Sequence, residues 1–358
     1  MSRYFITTVL VALLIGLTGQ SCAFPLHIGP PSDGGVFKSV DRGQSWQQSV
    51  SLASKAKSKS TFGNVDVSKL LIDPRDGNTV YAATKRFGLF QTTSGGEDWV
   101  RIYPQDVYVV DVAPDPRSRC VIYVVLTAQI IKTSDCAAHW SVIFNETRKG
   151  VQFTSLAIYP KDPSAVYAAN SAGELDKSDD YGATWTSIFT MSDTGLEQVV
   201  IDRTDHDTLF LGTTDKGVFR SLDQGVQWED ISVPIKTSEN STAFRFMGPL
   251  SHHNAVWFVS KNSIFRTQNG GTTWDRLSLL TPPIKTTILA AAFNPANDDE
   301  VYYATASTLY RSADAGQTWT ARPLPTSRAA SYLVVDPFNG DRLFMGAQVF
   351  KNTPFVLF

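Results

Sequence analysis

The octapeptide SDDYGATW occupies residues 178–185, and a close copy, SADAGQTW, occupies residues 312–319. Both follow the pattern Ser/Thr-x-Asp-x-Gly-x-Thr/Ser-Trp, which we call the box. The seven tryptophans that end the boxes are spaced by 53, 41, 45, 43, 46 and 45 residues. A period near 45 residues indicates a repeat architecture. The other complete or partial boxes lie at 39–46, 92–99, 133–140, 221–228 and 267–274.

The residue types of the box fit a hairpin connection. The Asp180 carboxylate can accept hydrogen bonds from nearby backbone N–H groups, and Gly182 can adopt a positive φ. The Trp185 indole brings a large apolar surface to bury. One carboxylate per box falls short of the six to eight oxygens that Ca²⁺ takes, so we predict a structural role. The predicted structural residues are Asp41, Trp46, Trp99, Asp135, Trp140, Asp180, Trp185, Asp223, Trp228, Asn269, Trp274, Asp314 and Trp319.

The sequence around each box is equally regular. In the first complete unit, apolar runs at 70–72 and 80–83 flank the turn DPRDGN, and a short strand at 88–91 leads into the box. Asp-Pro, Lys-Asp-Pro or Asn-Pro turns recur in phase with the tryptophans. Four short strands per unit, turn residues between them and no convincing helix predict the blade of a β-propeller.

The two ends of the chain together complete the blade count. The N-terminal unit, 34–46, supplies only a third and a fourth strand, whereas 332–337 and 342–347 read as a first and a second strand. We therefore predict an all-β fold: a seven-bladed β-propeller of four-stranded antiparallel blades, with the closing blade built from both termini. Such closure leaves no sheet edge exposed. The segment VFKN at 349–352 competes with 36–39 for the third strand.

Composition and charge exclude several classes of protein. The 358 residues are 42% hydrophobic and 18% charged, which excludes a disordered or collagen-like chain. Lys and Arg total 32 against 34 Asp and Glu, for a net charge of −2. This balance lacks the basic character of proteins that bind nucleic acid or anionic lipid. We expect a monomer with a protein or polysaccharide ligand, no nucleic acid partner and no transmembrane span.

Residues 1–23 have the organisation of a secretory signal peptide. Arg3 precedes an apolar run at 5–17, and the small residues Ser21 and Ala23 suit signal peptidase. The run is shorter than the about 20 residues that a membrane helix needs. We predict cleavage after Ala23, a single propeller over 24–358, and export to the periplasm, the cell surface or the medium. A lipid anchor on Cys22 is the alternative.

Export favours a disulfide between the two remaining cysteines. Cys120 and Cys136 flank two β-rich runs, and a hairpin centred on Ala128 would place them opposite each other. We predict that they are bonded; two unpaired cysteines are the alternative, since a slip of one residue would point the sulfurs apart.

The boxes and their spacing resemble the Asp-box (BNR) repeat family over residues 34 to about 351. Propellers of this family include sialidases, xyloglucan-cleaving hydrolases, sortilin-type receptors and the photosystem II assembly factor. The form of the unit is more similar to sortilin and xyloglucanase, whereas chain length and blade count fit the assembly factor better. A sialidase resemblance would imply an Arg-Ile-Pro element, but in this chain Tyr103 follows Arg101 and Ile102.

A glycoside hydrolase would need two carboxylates facing one cleft. Each loop acid is also interpretable as an ordinary solvated side chain. No nucleophile triad, phosphate loop or metal-binding histidine cluster is evident, and His252-His253 is interpreted as a polar turn, with a metal role as the alternative. We therefore predict no catalytic residue, no metal and no cofactor. The candidate acids are Asp66, Glu146, Glu174, Asp193, Glu197 and Asp215.

The loops opposite the boxes are the expected binding face, and several of them are basic. Two charged residues, Asp111 and Arg245, interrupt innermost strands and are assigned either a ligand role or a structural ion pair. Asp176 replaces an aromatic residue of the third strand without an evident reason. The other binding candidates are Lys85, Arg86, Phe87, Asn170, Asp215, Lys216 and Lys261.

We predict an exported, non-catalytic scaffold that binds a protein or glycan on this face. The alternatives are a glycoside hydrolase of xyloglucanase-like or sialidase-like class and, if Cys22 is lipidated, an assembly factor for a membrane protein complex.

Overall fold

In the described residues of the computed structural model, twenty-eight strands pair into seven antiparallel sheets of four strands each. The model describes residues 33–53, 60–202, 204–235, 244–249, 251–282 and 286–349. The predicted signal peptide, Cys22 and most of VFKN lie outside these ranges. Within them no helix is long or apolar enough to cross a membrane. The one described helix is a 3-10 turn, Val233–Ile235.

The first four blades contain β1 to β14 with β27 and β28, and the strands of each blade are named from the innermost outward. Blade 1 is β27 (Ala329–Val335), β28 (Leu343–Gln348), β1 (Gly35–Ser39) and β2 (Gln47–Gln48); blade 2 is β3 (Val67–Asp73), β4 (Asp76–Thr84), β5 (Leu89–Thr92) and β6 (Val100–Tyr103); blade 3 is β7 (Val109–Pro114), β8 (Ile122–Leu126), β9 (Gln129–Thr133) and β10 (Ser141–Asn145); blade 4 is β11 (Phe153–Ile158), β12 (Val166–Asn170), β13 (Glu174–Ser178) and β14 (Thr186–Thr190).

The last three blades run in the same order from the innermost strand outward. Blade 5 is β15 (Leu196–Ile201), β16 (Leu209–Thr213), β17 (Val218–Ser221) and β18 (Glu229–Asp230); blade 6 is β19 (Phe244–Pro249), β20 (Val256–Ser260), β21 (Ile264–Thr267) and β22 (Asp275–Arg276); blade 7 is β23 (Ala290–Asn294), β24 (Asn297–Ala304), β25 (Thr308–Ser312) and β26 (Thr320–Pro323).

The innermost strands contact one another in turn around a closed ring, which confirms the predicted seven-bladed propeller. Blade 1 is completed by both ends of the chain, because β1 pairs with β28 from Gly35 opposite Ala347 to Ser39 opposite Leu343. The N-terminal segment therefore takes the third-strand position for which VFKN competed. One apolar cluster fills each of the seven boundaries between blades.

The box is a turn held together by its own side chains. Ser178 Oγ donates to Asp180 Oδ1 at 2.7 Å and accepts from the Gly182 N–H at 2.8 Å. The Thr184 hydroxyl donates to Asp180 Oδ2 at 2.6 Å, and the Thr184 N–H donates to Oδ1 at 2.8 Å. These bonds stabilise the ionised carboxylate and lower the pKa of Asp180 to about 2.

Two of these bonds form in all seven boxes, including those that depart from the pattern. The N–H of the fifth residue donates to the hydroxyl of the first, and the N–H of the seventh donates to the side-chain oxygen of the third. At 92–99, Ser94 replaces the aspartate and its hydroxyl accepts from the Asp98 N–H at 3.0 Å. At 133–140, Ala137 replaces the glycine and adopts a φ of 68°. The Ser94 hydroxyl, like the Asn269 amide oxygen at 267–274, therefore accepts the backbone bond that the aspartate carboxylate accepts in the other boxes.

A further bond ties each box to the turn between the first and second strands of its own blade. The fourth box residue has a positive φ, and its N–H donates to a carbonyl in that turn or within the first residues of the second strand, at 2.8–3.2 Å. In blade 4 the donor is Tyr181 and the acceptor is Ser164, at 2.9 Å. Boxes and first turns therefore share one face, the box face. The turns between second and third strands and the loops between blades form the opposite loop face.

The cysteine pairing is confirmed, but the predicted register is wrong by one residue. Cys120 and Cys136 are bonded, whereas β8 and β9 pair Ile122 with Thr133 and Tyr123 with Lys132. In that register the two cysteines are not directly opposite. The bond forms because both lie beyond the strand ends, where the Cys136 N–H donates to the Cys120 carbonyl at 3.2 Å.

Replacing Gly271, the fifth residue of its box, by alanine should destabilise the fold more than the same change at Gly150. Both glycines have a left-handed φ, 88° and 86°, so both substitutions carry backbone strain of about 1–2 kcal/mol. A Cβ on Gly271 would lie 2.3 Å from Ile231 Cβ and 3.0 Å from the Ile231 carbonyl oxygen, whereas nothing lies within 4 Å of one on Gly150. Overpacking adds about 1–3 kcal/mol. Denaturant unfolding of the two variants measures the difference, and equal losses would refute the packing role.

Removing the disulfide should lower the free energy of unfolding by about 3 kcal/mol. The bond closes a loop with a sequence separation of 16 residues, which restricts the unfolded chain. The variant carrying both Cys120→Ala and Cys136→Ala should match the reduced wild-type protein in denaturant unfolding, and dithiothreitol should not change it further. A double variant as stable as the oxidised protein would contradict this expectation.

Candidate functional site

The beginnings of five innermost strands surround a polar cavity of about 320 Å³ on the loop face, which we call the channel mouth. Blades 1 to 5 each contribute residues to it. Tyr108 is 41% exposed at its rim, together with exposed Gln152 and half-buried Glu197. The complete lining is Ser68, Lys69, Tyr108, Val110, Gln152, Phe153, Thr154, Ser155, Glu197, Gln198, Ser331 and Tyr332.

A buried ion pair joins three blades below this cavity. Lys69 Nζ of β3 lies 2.5 Å from Asp111 Oδ1 of β7, and Asp111 is 2% exposed. The same carboxylate accepts from its neighbour Val112 N–H at 2.7 Å and from the Leu156 N–H of β11 at 3.2 Å. Burial opposes the charge on Lys69, but the Asp111 carboxylate outweighs it, so the pKa of Lys69 is raised. Asp111 is therefore part of the channel wall.

Hydroxyl groups of the lining also connect neighbouring blades. Ser68 Oγ donates to the Val109 carbonyl at 2.8 Å, joining blades 2 and 3. Thr154 Oγ1 donates to the Leu196 carbonyl at 2.7 Å, joining blades 4 and 5. These groups hold the wall in place and leave exposed Tyr108 and Gln152, together with half-buried Glu197, as the side chains that can meet a ligand.

Two of the candidate acids are held by one arginine at the boundary of blades 3 and 4. Arg148 Nη2 lies 2.6 Å from Glu146 Oε2 and 2.6 Å from Glu174 Oε2. Its Nε and Nη1 bond the other oxygen of each, at 2.9 and 2.7 Å. The Arg148 hydrogen bonds lower the pKa of Glu146 to about 2 and also lower that of Glu174. Both carboxylates are thus ionised and engaged.

Asp176 lies next to this cluster in the third strand of blade 4. It is 7% exposed and stands opposite Ala168 of β12. Burial, followed by the negative charge of Glu174, raises its pKa to about 6. A raised pKa beside another acid is the electrostatic signature of a general acid. In this protein, however, the neighbouring Glu174 is bound by Arg148.

Each of the remaining candidate acids that has a described side-chain partner is bound by a hydroxyl or an arginine. Asp66 accepts from Arg328 Nη1 at 3.0 Å, and Asp215 accepts from Thr194 Oγ1 at 2.7 Å. Glu197 accepts from Thr214 Oγ1 at 2.8 Å, and Asp193 is exposed.

The predicted binding residues divide into exposed and structural groups. Asn170 is fully buried, and its amide bonds Glu174 and the backbone of its own turn. Lys261 is half-buried in the turn between β20 and β21. Arg245 lies on β19, and its side chain is outside the described residues. The exposed group on the turns of the loop face is Lys85, Arg86, Phe87, Asp215 and Lys216.

Lys69, Arg148 and the channel mouth were not predicted from the sequence. Lys69 interrupts an apolar innermost strand in the same way as Asp111, so this interruption was a usable signal. The sequence around Arg148 gives no comparable signal, since Arg148 is one of several basic loop residues.

Asp176→Asn should stabilise the protein at pH 8 and have little effect at pH 4. The folded-state pKa, about 6, exceeds the ordinary 3.8, so ionisation of Asp176 as pH rises through this window destabilises the fold. The difference of about two pKa units corresponds to at most about 3 kcal/mol. Denaturant unfolding at both pH values measures it, with exposed Asp193→Asn as the control. An equal effect of Asp176→Asn at both pH values would contradict the assignment.

Comparison with known proteins finds relatives of two kinds. The family model described as photosynthesis system II assembly factor YCF48 matches residues 187–331. A xyloglucanase from Paenibacillus sp is 25% identical over 267 residues, covering 69% of this chain and 24% of the relative. This chain thus spans about a quarter of that enzyme's length.

Solved structures with a similar fold include both of these kinds. The GH74 xyloglucanase from Xanthomonas campestris aligns with a TM-score of 0.65 at 17% identity, covering 79% of this chain and 51% of the enzyme. YCF48 bound to D1 peptide aligns with a TM-score of 0.57 at 15% identity, covering 79% of this chain and 94% of that one. Boxes and blades together show that the chain is a seven-bladed β-propeller of Asp-box repeats, and its fold resembles those of YCF48 and the GH74 xyloglucanases.

Proposed function

We propose that the protein is an exported, non-catalytic scaffold that binds an acidic protein segment across the channel mouth. The observation that carries this proposal is the division of charge on the loop face. Lys69 and Asp111 in the wall pair with each other, and Glu197 there accepts from a hydroxyl, whereas a set of exposed cations on the loop-face turns has no described ion-pair partner.

The paired set comprises the Lys69–Asp111 pair and the Arg148 cluster. Arg101 pairs with Asp106, and Arg328 pairs with Asp33 and Asp66. The other set is Lys85, Arg86, Lys149 and Lys216, which are exposed and form no ion pair with any residue that the structure describes. Contact between such exposed cations and the carboxylates of a partner carries a small desolvation free energy, and the cations favour rapid association with an acidic partner.

The channel mouth offers the groups that an extended peptide needs. Gln152 can exchange hydrogen bonds with a peptide backbone, and Glu197 can accept them. The Tyr108 ring supplies apolar surface with a polar tip, the combination enriched at binding hot spots. YCF48 has been solved with a peptide bound, which supports a protein segment as the ligand class.

The carboxylate arrangement favours a scaffold over a hydrolase. Glycosidases need two carboxyl groups facing the substrate, about 5 to 9.5 Å apart. Glu146 and Glu174 have their oxygens bound by Arg148, and Asp176 is buried behind them.

Export is part of the proposal. The Cys120–Cys136 disulfide is typical of oxidising compartments, and residues 1–23 read as a secretory signal.

A displayed library of random peptides, selected on the mature protein, tests the proposal. We expect the selected binders to be enriched in Asp and Glu. Tyr108→Ala should weaken them about tenfold, the size of a modest hot spot. The Lys85→Ala, Arg86→Ala double variant should weaken them several-fold and reduce the salt dependence. The matched control is the Arg119→Ala, Lys161→Ala double variant, which removes two cations from the box face.

Three results would contradict the proposal. They are the absence of acidic enrichment, equal losses in the loop-face and box-face double variants, and release of reducing sugar from xyloglucan by the mature protein. The last result would establish the hydrolase alternative.

A further inference from the structure

Three side chains with metal-ligating atoms meet on the box face, where blade 5 contacts blade 6. Asp202 and Asp205 lie in the turn between β15 and β16, and His253 lies in the turn between β19 and β20. His253 Nδ1 is 3.0 Å from Asp205 Oδ2 and 3.8 Å from Asp202 Oδ2. Within the described ranges this is the only group of three such residues whose ligand atoms lie within 4.8 Å of one another.

The two carboxylates are held in place before any ion binds. Asp202 is 1% exposed; Oδ1 accepts from the Thr204 N–H and hydroxyl, both at 2.7 Å, and Oδ2 accepts from the Asn254 N–H at 2.9 Å. Asp205 accepts from the Thr208 N–H at 3.0 Å and its hydroxyl at 2.9 Å. Each Oδ2 retains lone-pair capacity towards the imidazole.

The described ionisable partner of the first-turn aspartate in blade 5 differs from those in two other blades. The aspartate at the corresponding turn is neutralised by an arginine of its own blade in blade 1, where Arg342 lies 2.5 Å from Asp336. In blade 2, Arg75 lies 2.5 Å from Asp73. At Asp202 the described ionisable partner is an imidazole that comes from the next blade. An imidazole and carboxylates form a ligand set that first-row divalent metals take.

Asn254 supplies the second observation. Its amide lies beside the other ring nitrogen, with Nδ2 2.9 Å from His253 Nε2, while its Oδ1 is buried without a hydrogen-bond partner. A half-turn of the amide places Oδ1 against Nε2, where it accepts the ring proton. That tautomer directs the Nδ1 lone pair at two carboxylates, an arrangement that a bound divalent cation stabilises and that protonation of Nδ1 replaces when no ion is bound. A carbonyl behind the imidazole is the usual outer partner of a metal-bound histidine.

We infer that Asp202, Asp205 and His253 form a surface site for a divalent transition-metal ion, best suited to Zn²⁺, that links blades 5 and 6. Ligand atoms about 3.3 Å apart fit a tetrahedral ion with bonds of about 2.0–2.1 Å. The distances from His253 Nδ1 to Asp205 Oδ2, 3.0 Å, and to Asp202 Oδ2, 3.8 Å, lie on either side of 3.3 Å. Asp205 and His253 are 33% and 50% exposed in their side chains, which leaves the fourth position open to water.

Zinc titration calorimetry on the EDTA-treated, tag-free mature protein at neutral pH tests the inference. We expect one site in the wild-type protein and a rise in Tm on adding Zn²⁺. His253→Gln and Asp205→Asn should each weaken binding at least about tenfold and remove the Tm rise. Asn254→Leu should weaken binding by about 10–100-fold, the usual effect of losing an outer partner.

The matched control is the adjacent histidine. His252 Nδ1 lies 2.6 Å from the single carboxylate of Asp298, so His252→Gln should leave zinc affinity and the Tm rise unchanged. Exposed Asp205 provides a variant that should fold even if a change at His253 does not. The inference is overturned if the wild-type protein takes up no zinc, or if His253→Gln and Asp205→Asn bind it as tightly as the wild type.

Discussion

Two consecutive residues with positive φ at every box turn constrain the whole architecture. They direct the N–H of the fourth box residue to hydrogen-bond the connection between the first and second strands of the blade. The N–H of the fifth box residue is directed to hydrogen-bond the hydroxyl of the residue that begins the box. Each blade is thereby closed across all four strands at one face. The box tryptophan extends this closure to the preceding blade, as where Trp140 Nε1 donates to the Ile102 carbonyl and Trp274 Nε1 to the Ile231 carbonyl.

The fold was predictable because the residues that specify it act locally. Hydroxyl, carboxylate and glycine within eight residues fix the turn, and their recurrence counts the blades. Even the boxes with Ser94 or Ala137 keep the geometry, because the Ser94 hydroxyl accepts at the third position and Ala137 adopts a φ of 68° at the fifth. The disulfide shows a limit of this reasoning. The prediction that Cys120 bonds Cys136 was right although the assumed register of β8 and β9 was not, because both cysteines lie beyond the paired residues of the two strands.

The candidate site was less predictable because its contacts join different blades. Lys69 and Asp111 are 42 residues apart in sequence, and Arg148 and Glu174 are 26 apart. No periodic pattern pairs such residues; only the ring closure brings them together. The basic loops were identified from sequence, but which cations are neutralised internally depends on side-chain geometry. No sequence motif marks the binding of Glu146 and Glu174 by Arg148, and the proposal of a scaffold over a hydrolase uses this contact.

The proposed function depends on ligands being recognised at the channel mouth and not on the box face. Hydrogen–deuterium exchange of the mature protein, with and without a selected acidic peptide, distinguishes the two faces. We expect protection of the backbone around Tyr108, at 152–154, at 197–198 and at 331–332, while exchange in the box turns is unchanged. Protection concentrated in the box turns would contradict this proposal and place the recognition surface on the opposite face.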